Sequence, residues 1–191
     1  QIALLSTDSQ NFCVIQLGGS SGKEISFFAK TFPYADFIYT DIFESVTDYA
    51  REQVNLPNLS YVTCSAENLP ILAETSKKKR ILIFSSGSAQ YVFPENLHTI
   101  FRRLSKIHKK NIDFILQEPG NDQITNPTKF NGSIPRGNFS YTHNYQFYAE
   151  KNQFITQKWN LIKPYEPQEE FFPDNQGTVL LFGWFTNLGP S

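Results

Sequence analysis

The chain alternates short apolar runs with stretches whose apolar residues recur at helical spacing. Apolar runs of strand length occupy residues 12–17, 37–40, 59–64, 80–84 and 112–117, and two more follow near 154–162 and 178–185. A Pro94-initiated stretch over 94–108, between the fourth and fifth runs, has the apolar stripe of a helix. Such alternation is typical of βαβ units with a parallel sheet, so the sequence predicts an α/β fold.

A glycine-rich turn directly follows the first predicted strand. Its residues are Gly18-Gly19-Ser20-Ser21-Gly22, and a predicted helix comes next. Glycine lets a backbone approach a ligand closely, and a helix N-terminus offers N–H groups to an anion. The dinucleotide fingerprint GxGxxG is absent. Whether the fingerprint is started at Gly18 or at Gly19, both of its later glycine positions hold other residues. The turn therefore disfavours a nicotinamide- or nucleotide-sugar-binding reductase, which stays a minor alternative.

The turn resembles the first motif of class I S-adenosylmethionine-dependent methyltransferases, where an acidic residue and then GxGxG follow strand one. Two residues depart from that motif: Gln16 stands where the family has Asp or Glu, and Ser20 replaces the middle glycine. The resemblance implies that S-adenosylmethionine is the cofactor. It assigns this part of the cofactor site to Gln16, Gly18, Gly19, Ser20 and Gly22.

Three later segments resemble further motifs of the same family, in the family's order. Asp41 ends strand two, where the family's carboxylate accepts hydrogen bonds from both ribose hydroxyls, and Ile42 follows it. Residues 62–70 resemble the segment that recognises the adenine edge, with Ser65 in place of the usual Asp. Residues 81–91 resemble the family's fourth strand and its loop, whose backbone passes beside the methionine part of the cofactor. The resemblance therefore adds Ser65, Ala66, Glu67, Ser85 and Ser86 to the expected cofactor site.

The resemblance also implies the architecture. It predicts a Rossmann-like three-layer sandwich, with a seven-stranded, mostly parallel sheet of order 3-2-1-4-5-7-6 and strand seven antiparallel. We expect one domain over residues 1–191, with a long loop or lid at 119–140 and a helix from about Tyr141 to Lys151. The chain starts without Met, and substrate-covering helices often precede strand one in this family. An N-terminal cap is therefore expected to be missing.

Four side chains are candidates for a general base, which a protonated methyl acceptor would need. Tyr91, Glu118 and Asp122 follow predicted strands, and His143 comes after the long loop, with an unperturbed pKa suited to neutral pH. Each candidate also has a structural interpretation. His143 is equally typical of a packed residue at a helix start, and Glu118 of a turn.

Charge and cysteine usage narrow the partners and the compartment. The net charge is −1, and the basic runs at 77–80 and 108–110 precede strands, away from the expected site. A small-molecule substrate is therefore favoured over nucleic acid, and no apolar run approaches the ~20 residues of a membrane span. Cys13 and Cys64 lie in apolar runs and are expected to be reduced core residues, which favours the cytoplasm. The Cys and His spacing predicts no metal site.

These observations predict S-adenosylmethionine-dependent methyl transfer to a small molecule, and they leave the oligomeric state open. The departures at Gln16, Ser20 and Ser65 keep a second hypothesis. In that hypothesis the chain is a catalytically degenerate domain of the same fold, which serves binding or assembly.

Overall fold

The apolar runs become the strands of one sheet, and the amphipathic stretches become its flanking helices. The computed structural model describes residues 12–121, 131–136, 138–162 and 178–187. Within them the strands are β1 (Phe12–Leu17), β2 (Asp36–Asp41), β3 (Leu59–Thr63), β4 (Arg80–Ser86), β5 (Asn111–Asn121), β6 (Ser133–Arg136), β7 (Ser140–His143), β8 (Phe154–Ile162) and β9 (Thr178–Asn187). The helices are α1 (Lys23–Thr31), α2 (Glu44–Gln53), α3 (Leu69–Thr75), α4 (Pro94–Ser105) and α5 (Tyr145–Lys151), with 3₁₀ turns at Ala66–Asn68 and Ala89–Tyr91.

The main sheet has seven strands in the order β3-β2-β1-β4-β5-β9-β8. Neighbours among β1 to β5 pair in parallel, whereas β9 runs antiparallel to both β5 and β8. Strands β6 and β7 form a separate two-stranded sheet. When β6 and β7 are left out of the numbering, β8 and β9 are the sixth and seventh strands of the predicted sheet. The predicted strand order and the antiparallel last strand are therefore confirmed. The carboxyl ends of β1 to β5 therefore share one edge of the sheet.

Helices cover both faces of the sheet and create two apolar clusters. Helices α1 and α2 pack on one face, where Ile25 and Ala50 join the residues of β1 and β2. Helices α3, α4 and α5 pack on the other face, where the ring of Phe101 contacts those of Phe114, Phe154 and Phe185. All six residues of β1 are buried because this central strand is covered on both sides.

The segment predicted as a structureless loop at 119–140 is structured at both ends. Strand β5 continues through Pro119–Asn121 and pairs with β9. Gly120 lies close to Leu181, since a Cβ at this position would be 3.0 Å from Cδ1 of Leu181. Residues 133–136 pair with 140–143 as the β6–β7 hairpin. The predicted loop was therefore wrong at these ends, and residues 122–130 and 137 lie outside the described ranges.

The helix predicted from Tyr141 begins at Tyr145 instead. Residues 141–143 belong to β7, and the side chain of Asn144 accepts a hydrogen bond from the backbone N–H of Phe147 at 3.0 Å, which caps α5. The expected missing cap concerns the region before β1, and residues 1–11 lie outside the described ranges. None of the helices in the described ranges has the length and apolar character to cross a membrane.

Candidate cofactor-binding site

A cleft of about 490 Å³ opens at the carboxyl ends of β1, β2 and β3. This volume is in the range of pockets that hold small organic ligands. The bend after β1 (residues 18–22), the turns after β2 and β3, and the loop between β4 and α4 form its walls. The lining residues are Leu17, Gly18, Ser20, Asp41, Ile42, Phe43, Val46, Cys64, Ser65, Ala66, Glu67, Ser88, Tyr91, Val92 and Phe93.

Two glycines of the bend are required by the close approach of neighbouring side chains. A Cβ on Gly18 would lie 2.2 Å from the Oγ of Ser88, and the φ of Gly18 is +65°. A Cβ on Gly19 would lie 2.1 Å from the ring atom Cε2 of Tyr39. The bend is therefore packed tightly against β2 and the β4–α4 loop, and its bare backbone forms part of the cleft wall.

Strand β2 holds the third residue of the bend, Ser20, from two sides. The hydroxyl of Tyr39 donates to the Ser20 carbonyl at 2.6 Å, and the Ser20 N–H donates to Oδ2 of Asp41 at 3.2 Å. Ser20 has a φ of 47°, a left-handed conformation that residues other than glycine seldom adopt. These two hydrogen bonds support that conformation, so a serine at position 20 keeps the bend.

The carboxylate of Asp41 faces the bend across the cleft. Its Oδ2 accepts from Ser20, and its Oδ1 accepts from the backbone N–H of Phe43 at 3.1 Å. Each carboxylate oxygen can accept two hydrogen bonds, so each keeps one acceptor position for a ligand donor. Beside it, Ile42 and Phe43 are 62% and 64% exposed and offer an apolar surface to a flat ring.

The turn after β3 completes this side of the cleft. The hydroxyl of Ser65 donates to the side chain of Asn68 at 3.2 Å, and the carboxylate of Glu67 accepts from Asn96 of α4. Glu67 therefore ties α4 to the cleft wall. Cys64 also lines the cleft, where partial burial raises the pKa of its thiol. Both cysteines were expected in the core, and the structure places Cys13 there.

Comparisons with known proteins identify the fold of the chain. No family model and no curated protein matches the chain. Among solved structures, a putative S-adenosylmethionine-dependent methyltransferase from Listeria monocytogenes matches with a TM-score of 0.63 at 15% identity, over 94% of this chain and 93% of that one. The chain has the class I methyltransferase fold.

Two further solved structures share the class I fold. The cyclopropane synthase MmaA2 from Mycobacterium tuberculosis matches with a TM-score of 0.67 at 10% identity, over 98% of this chain and 84% of that one. An O-methyltransferase of a trans-AT PKS multienzyme from Brevibacillus brevis, in complex with S-adenosyl-L-homocysteine, matches with a TM-score of 0.65 at 11% identity, over 94% and 68%.

Five of the predicted cofactor residues lie outside the lining of the cleft. Gly19 and Gly22 shape the bend from behind, where Gly22 precedes α1 with a φ of 73°. Gln16 is buried in β1. Ser85 and Ser86 line a second groove of about 390 Å³ on the α1 side of the sheet. Seven predicted residues therefore meet in the cleft, and they are Gly18, Ser20, Asp41, Ile42, Ser65, Ala66 and Glu67.

Glu118, one of the predicted catalytic candidates, lies behind the wall of the cleft. It is fully buried at the end of β5, where Oε1 accepts from the Ser85 hydroxyl at 2.5 Å and from the N–H of Ala89 at 3.1 Å. Its carboxylate also accepts from the N–H groups of Ser88 and Gln90. Burial raises the pKa of Glu118 to about 7, and these four hydrogen bonds oppose the rise.

The arrangement gives Glu118 a role that sequence reasoning missed. Its carboxylate organises the β4–α4 loop, and that loop forms one wall of the cleft. Three of the four donors are backbone N–H groups, which no side-chain pattern marks in the sequence, and only the pairing of β4 with β5 brings Glu118 beneath them.

His143 is buried as well, in β7. Its Nδ1 lies 2.6 Å from the hydroxyl of Ser133, and its ring stacks on that of Tyr141. Burial lowers the pKa of His143 to about 4, and nearby backbone groups of Val92 and Ala89 oppose this. His143 is therefore neutral at pH 7 and has no access to the cleft.

Tyr91 is the remaining described candidate. Its side chain is 59% exposed and lines the cleft. The fourth candidate, Asp122, lies outside the described ranges. Among the described candidates, the structure thus brings Tyr91 to the cleft and places Glu118 and His143 behind the β4–α4 loop.

Proposed function

We propose that this chain binds S-adenosylmethionine in the cleft and transfers its methyl group to a small molecule. The observation that carries the proposal is the Asp41 carboxylate, which faces the bend at 3.2 Å from the Ser20 N–H and keeps acceptor capacity on both oxygens. Its position at the carboxyl edge of a parallel sheet is where open α/β folds bind ligands. The class I fold supports the choice of cofactor.

The residues of the cleft fit the adenosine part of this cofactor. The open acceptor positions of Asp41 suit two neighbouring ribose hydroxyls. Ile42 and Phe43 would lose exposed apolar surface against an adenine ring, which is favourable by roughly 25 cal/mol per Å². The absence of a side chain at Gly18 lets Ser88 pack against the bend, and the backbone of Gly18 lines the cleft. Ser65 and Ala66 line the side of the cleft that follows β3.

The chain's contribution to methyl transfer is positioning. The bound cofactor would supply the electrophilic methyl group. Asp41 and the bend would fix the adenosine, and Glu118 would hold the β4–α4 loop that carries Tyr91. We assign the place nearest the methyl acceptor to Tyr91, since it is exposed in the cleft while Glu118 and His143 are buried.

The position of the basic runs at 77–80 and 108–110 favours a small-molecule substrate. Arg80 begins β4, and Lys110 precedes β5 and donates to the Ala73 carbonyl, so both lie at the amino edge of the sheet, opposite the cleft. A polyanion at the cleft would not meet these charges. The free cysteines Cys13 and Cys64 fit a reducing compartment, which supports a cytoplasmic location.

Calorimetric titration with S-adenosylhomocysteine tests the proposal. The wild-type chain should bind it with a micromolar Kd, and Asp41→Asn should bind at least tenfold more weakly. The matched control is Asp48→Asn, since Asp48 is an exposed residue of α2 that pairs with Arg51 away from the cleft lining. We expect the control to bind as the wild type does.

Three outcomes would contradict the proposal. A folded wild-type chain that binds no S-adenosylhomocysteine contradicts cofactor binding, and one that binds NADH instead supports the reductase alternative. A chain that binds S-adenosylhomocysteine but never converts S-adenosylmethionine, across a panel of small acceptors with oxygen, nitrogen, carbon and sulfur nucleophiles, supports the degenerate domain. Turnover in that panel supports the proposal.

A further inference from the structure

The β6–β7 hairpin borders the end of the cleft where Tyr91 lies. Its strand β7 packs against the 3₁₀ turn at Ala89–Tyr91, and the ring of Tyr141 lies 6.0 Å from that of Phe93, edge to face. Phe93 is 54% exposed and lines the cleft together with Tyr91. This end of the cleft therefore presents two aromatic rings at the place that the proposed function gives to the methyl acceptor.

The same hairpin brings a cation to this end of the cleft. The guanidinium of Arg136 donates from Nη2 to Oε1 of Gln90, the residue before Tyr91. Gln90 is itself fixed, because its Nε2 donates to the Gly87 carbonyl at 2.7 Å and its backbone N–H donates to Glu118 at 3.2 Å. Arg136 does not line the cleft. It lies beside the lining residue Tyr91, joined to the loop that follows β4.

The positive charge of Arg136 is partly buried and lacks a carboxylate partner at ion-pair distance within the described ranges. Neither of the two ion pairs found there involves this residue. Burial lowers the pKa of Arg136, and electrostatic interactions with Tyr91 and Glu118 oppose the fall. The Glu118 carboxylate is already occupied by its four hydrogen bonds. Because a guanidinium has more N–H donors than Gln90 uses, Arg136 keeps donors for an anionic ligand.

The wall of the cleft carries the opposite charge to Arg136. The lining residues include Asp41 and Glu67, and neither lysine nor arginine is among them. An anionic group would therefore be repelled along the adenosine part of the cleft and attracted beyond Tyr91. This distribution of charge orients an anionic acceptor, with its charged end at Arg136 and the rest of the molecule toward the cleft.

A carboxylate suits this cation better than a phosphate ester does. A carboxylate carries one negative charge, and its two oxygens match the planar fork of a guanidinium. A phosphate monoester carries about two negative charges at neutral pH. Within the described residues, no second cation acts electrostatically on Arg136. One arginine can therefore neutralise a carboxylate fully, and a phosphate monoester only in part.

We propose that Arg136 binds a carboxylate of the methyl acceptor, which is therefore an apolar small molecule with one carboxylic acid group. This inference rests on the proposed function and names the substrate class that the proposed function leaves open. The carboxylate takes the free donors of Arg136, and the apolar part of the acceptor lies against the exposed rings of Tyr91 and Phe93.

Two matched probes test this assignment on the complex with S-adenosylhomocysteine. Phenylacetate has an apolar ring and a carboxylate, and phenylacetamide is its neutral counterpart. In a ligand-observed NMR titration with saturating S-adenosylhomocysteine, the wild type should bind phenylacetate at least tenfold more tightly than phenylacetamide. Arg136→Gln should remove this preference and keep the Kd of S-adenosylhomocysteine within about threefold of the wild type.

Two further variants separate the role of the guanidinium from that of charge in general. Arg102→Gln is the matched control, because Arg102 is an exposed arginine in the last turn of α4, and it should keep the full preference. Arg136→Lys retains the charge and loses the planar fork, so its preference for phenylacetate should be intermediate.

The panel of acceptors used for the turnover test provides a second measurement. Carboxylic acids in that panel should have a lower KM than their amides. Arg136→Gln should raise the KM of the acids at least tenfold and keep kcat within about threefold, because the carboxylate is bound alike in the ground state and the transition state. A purely structural role of Arg136 would instead lower the Tm and affect acids and amides alike.

Three results would overturn the assignment. A wild-type complex that binds the two probes equally, or binds neither, has no carboxylate site. An Arg136→Gln variant that keeps the preference places the site elsewhere. Phenyl phosphate that binds more tightly than phenylacetate, and only when Arg136 is present, means that the acceptor is a phosphate ester. In each case a chain that binds S-adenosylhomocysteine leaves the proposed function standing, whereas a chain that does not bind it contradicts the proposed function itself.

Discussion

The hydrogen bond from Tyr39 to the bend gives the sharpest prediction about the cleft. Tyr39 is fully buried, and its hydroxyl donates to the Ser20 carbonyl at 2.6 Å. Tyr39→Phe removes this bond and leaves the ring that packs against Gly19. The change should therefore loosen Ser20 without opening a cavity in the core.

The size of the effect follows from one hydrogen bond and one strained residue. Loss of a hydrogen bond of this kind lowers the free energy of unfolding by about 1 kcal/mol. For a chain of 191 residues this lowers the Tm by about 3 °C. Ser20, with φ 47°, must then be ordered when a ligand binds, and the cost of about 1 kcal/mol weakens binding about fivefold.

Tyr61→Phe is the matched control for this substitution. The Tyr61 hydroxyl donates to the Val54 carbonyl at 2.7 Å, and its ring lies 5.3 Å from that of Tyr39. Both variants should lose about the same stability in urea unfolding. In calorimetry with S-adenosylhomocysteine, only Tyr39→Phe should show the fivefold loss. Equal affinities in the two variants would refute the claim that Tyr39 prepares the bend for the cofactor.

Three further predictions concern packing, pH and the reacting site. Gly19→Ala should lower the free energy of unfolding by roughly 1–3 kcal/mol in urea, because its Cβ would lie 2.1 Å from the buried Tyr39 ring; an unchanged midpoint would contradict this. The pKa of Glu118 is raised from 4.5 to about 7, so its contribution to stability falls as pH rises through that window. The pKa of His143 is lowered from 6.5 to about 4, so the contribution of His143 to stability falls as the pH drops from 6.5 to 4. The pH dependences of the two residues therefore oppose each other. Glu118→Gln removes the titration of Glu118 and leaves that of His143. The free energy of unfolding of this variant should therefore rise by about 3 kcal/mol between pH 4 and 6.5, and a urea midpoint that does not change with pH would refute this. Tyr91→Phe should keep the affinity for S-adenosylhomocysteine and lower kcat with any acceptor found; an unchanged kcat would remove Tyr91 from the reacting site.

The sequence was most informative where one physical pattern decides the structure. The parallel sheet follows from strands that alternate with helices, and β1 shows the continuous apolar run of a strand covered on both faces. The order of the strands was predicted from the resemblance to class I methyltransferases. The meeting of Asp41 with the bend also follows from topology, because both segments end neighbouring parallel strands.

The misses come from contacts between residues far apart in the chain. The β6–β7 hairpin carries few apolar residues and Pro135, so no period of two marks it, and it forms where it packs on the loop after β4. Glu118 reads as a turn residue next to proline, yet its partners are Ser85 and backbone N–H groups about thirty residues earlier. No local pattern predicts such an acceptor.

The burial of His143 has the same origin. Its unperturbed pKa suited a general base, but tyrosine rings from β7 and α5 enclose it and lower that pKa. Similarly, the hydrogen bond between Gln16 and Glu24 depends on how the bend turns α1 back toward β1. Sequence spacing alone gives no sign of it.

A crystal structure of the chain with S-adenosylhomocysteine tests the central claim most directly. The account predicts ligand density in the cleft, with the ribose hydroxyls within hydrogen-bond distance of the Asp41 carboxylate and the adenine ring against Ile42. Ligand density elsewhere on the chain, or a cleft in which Asp41 bonds only Ser20 and Phe43 at saturating ligand, would contradict it.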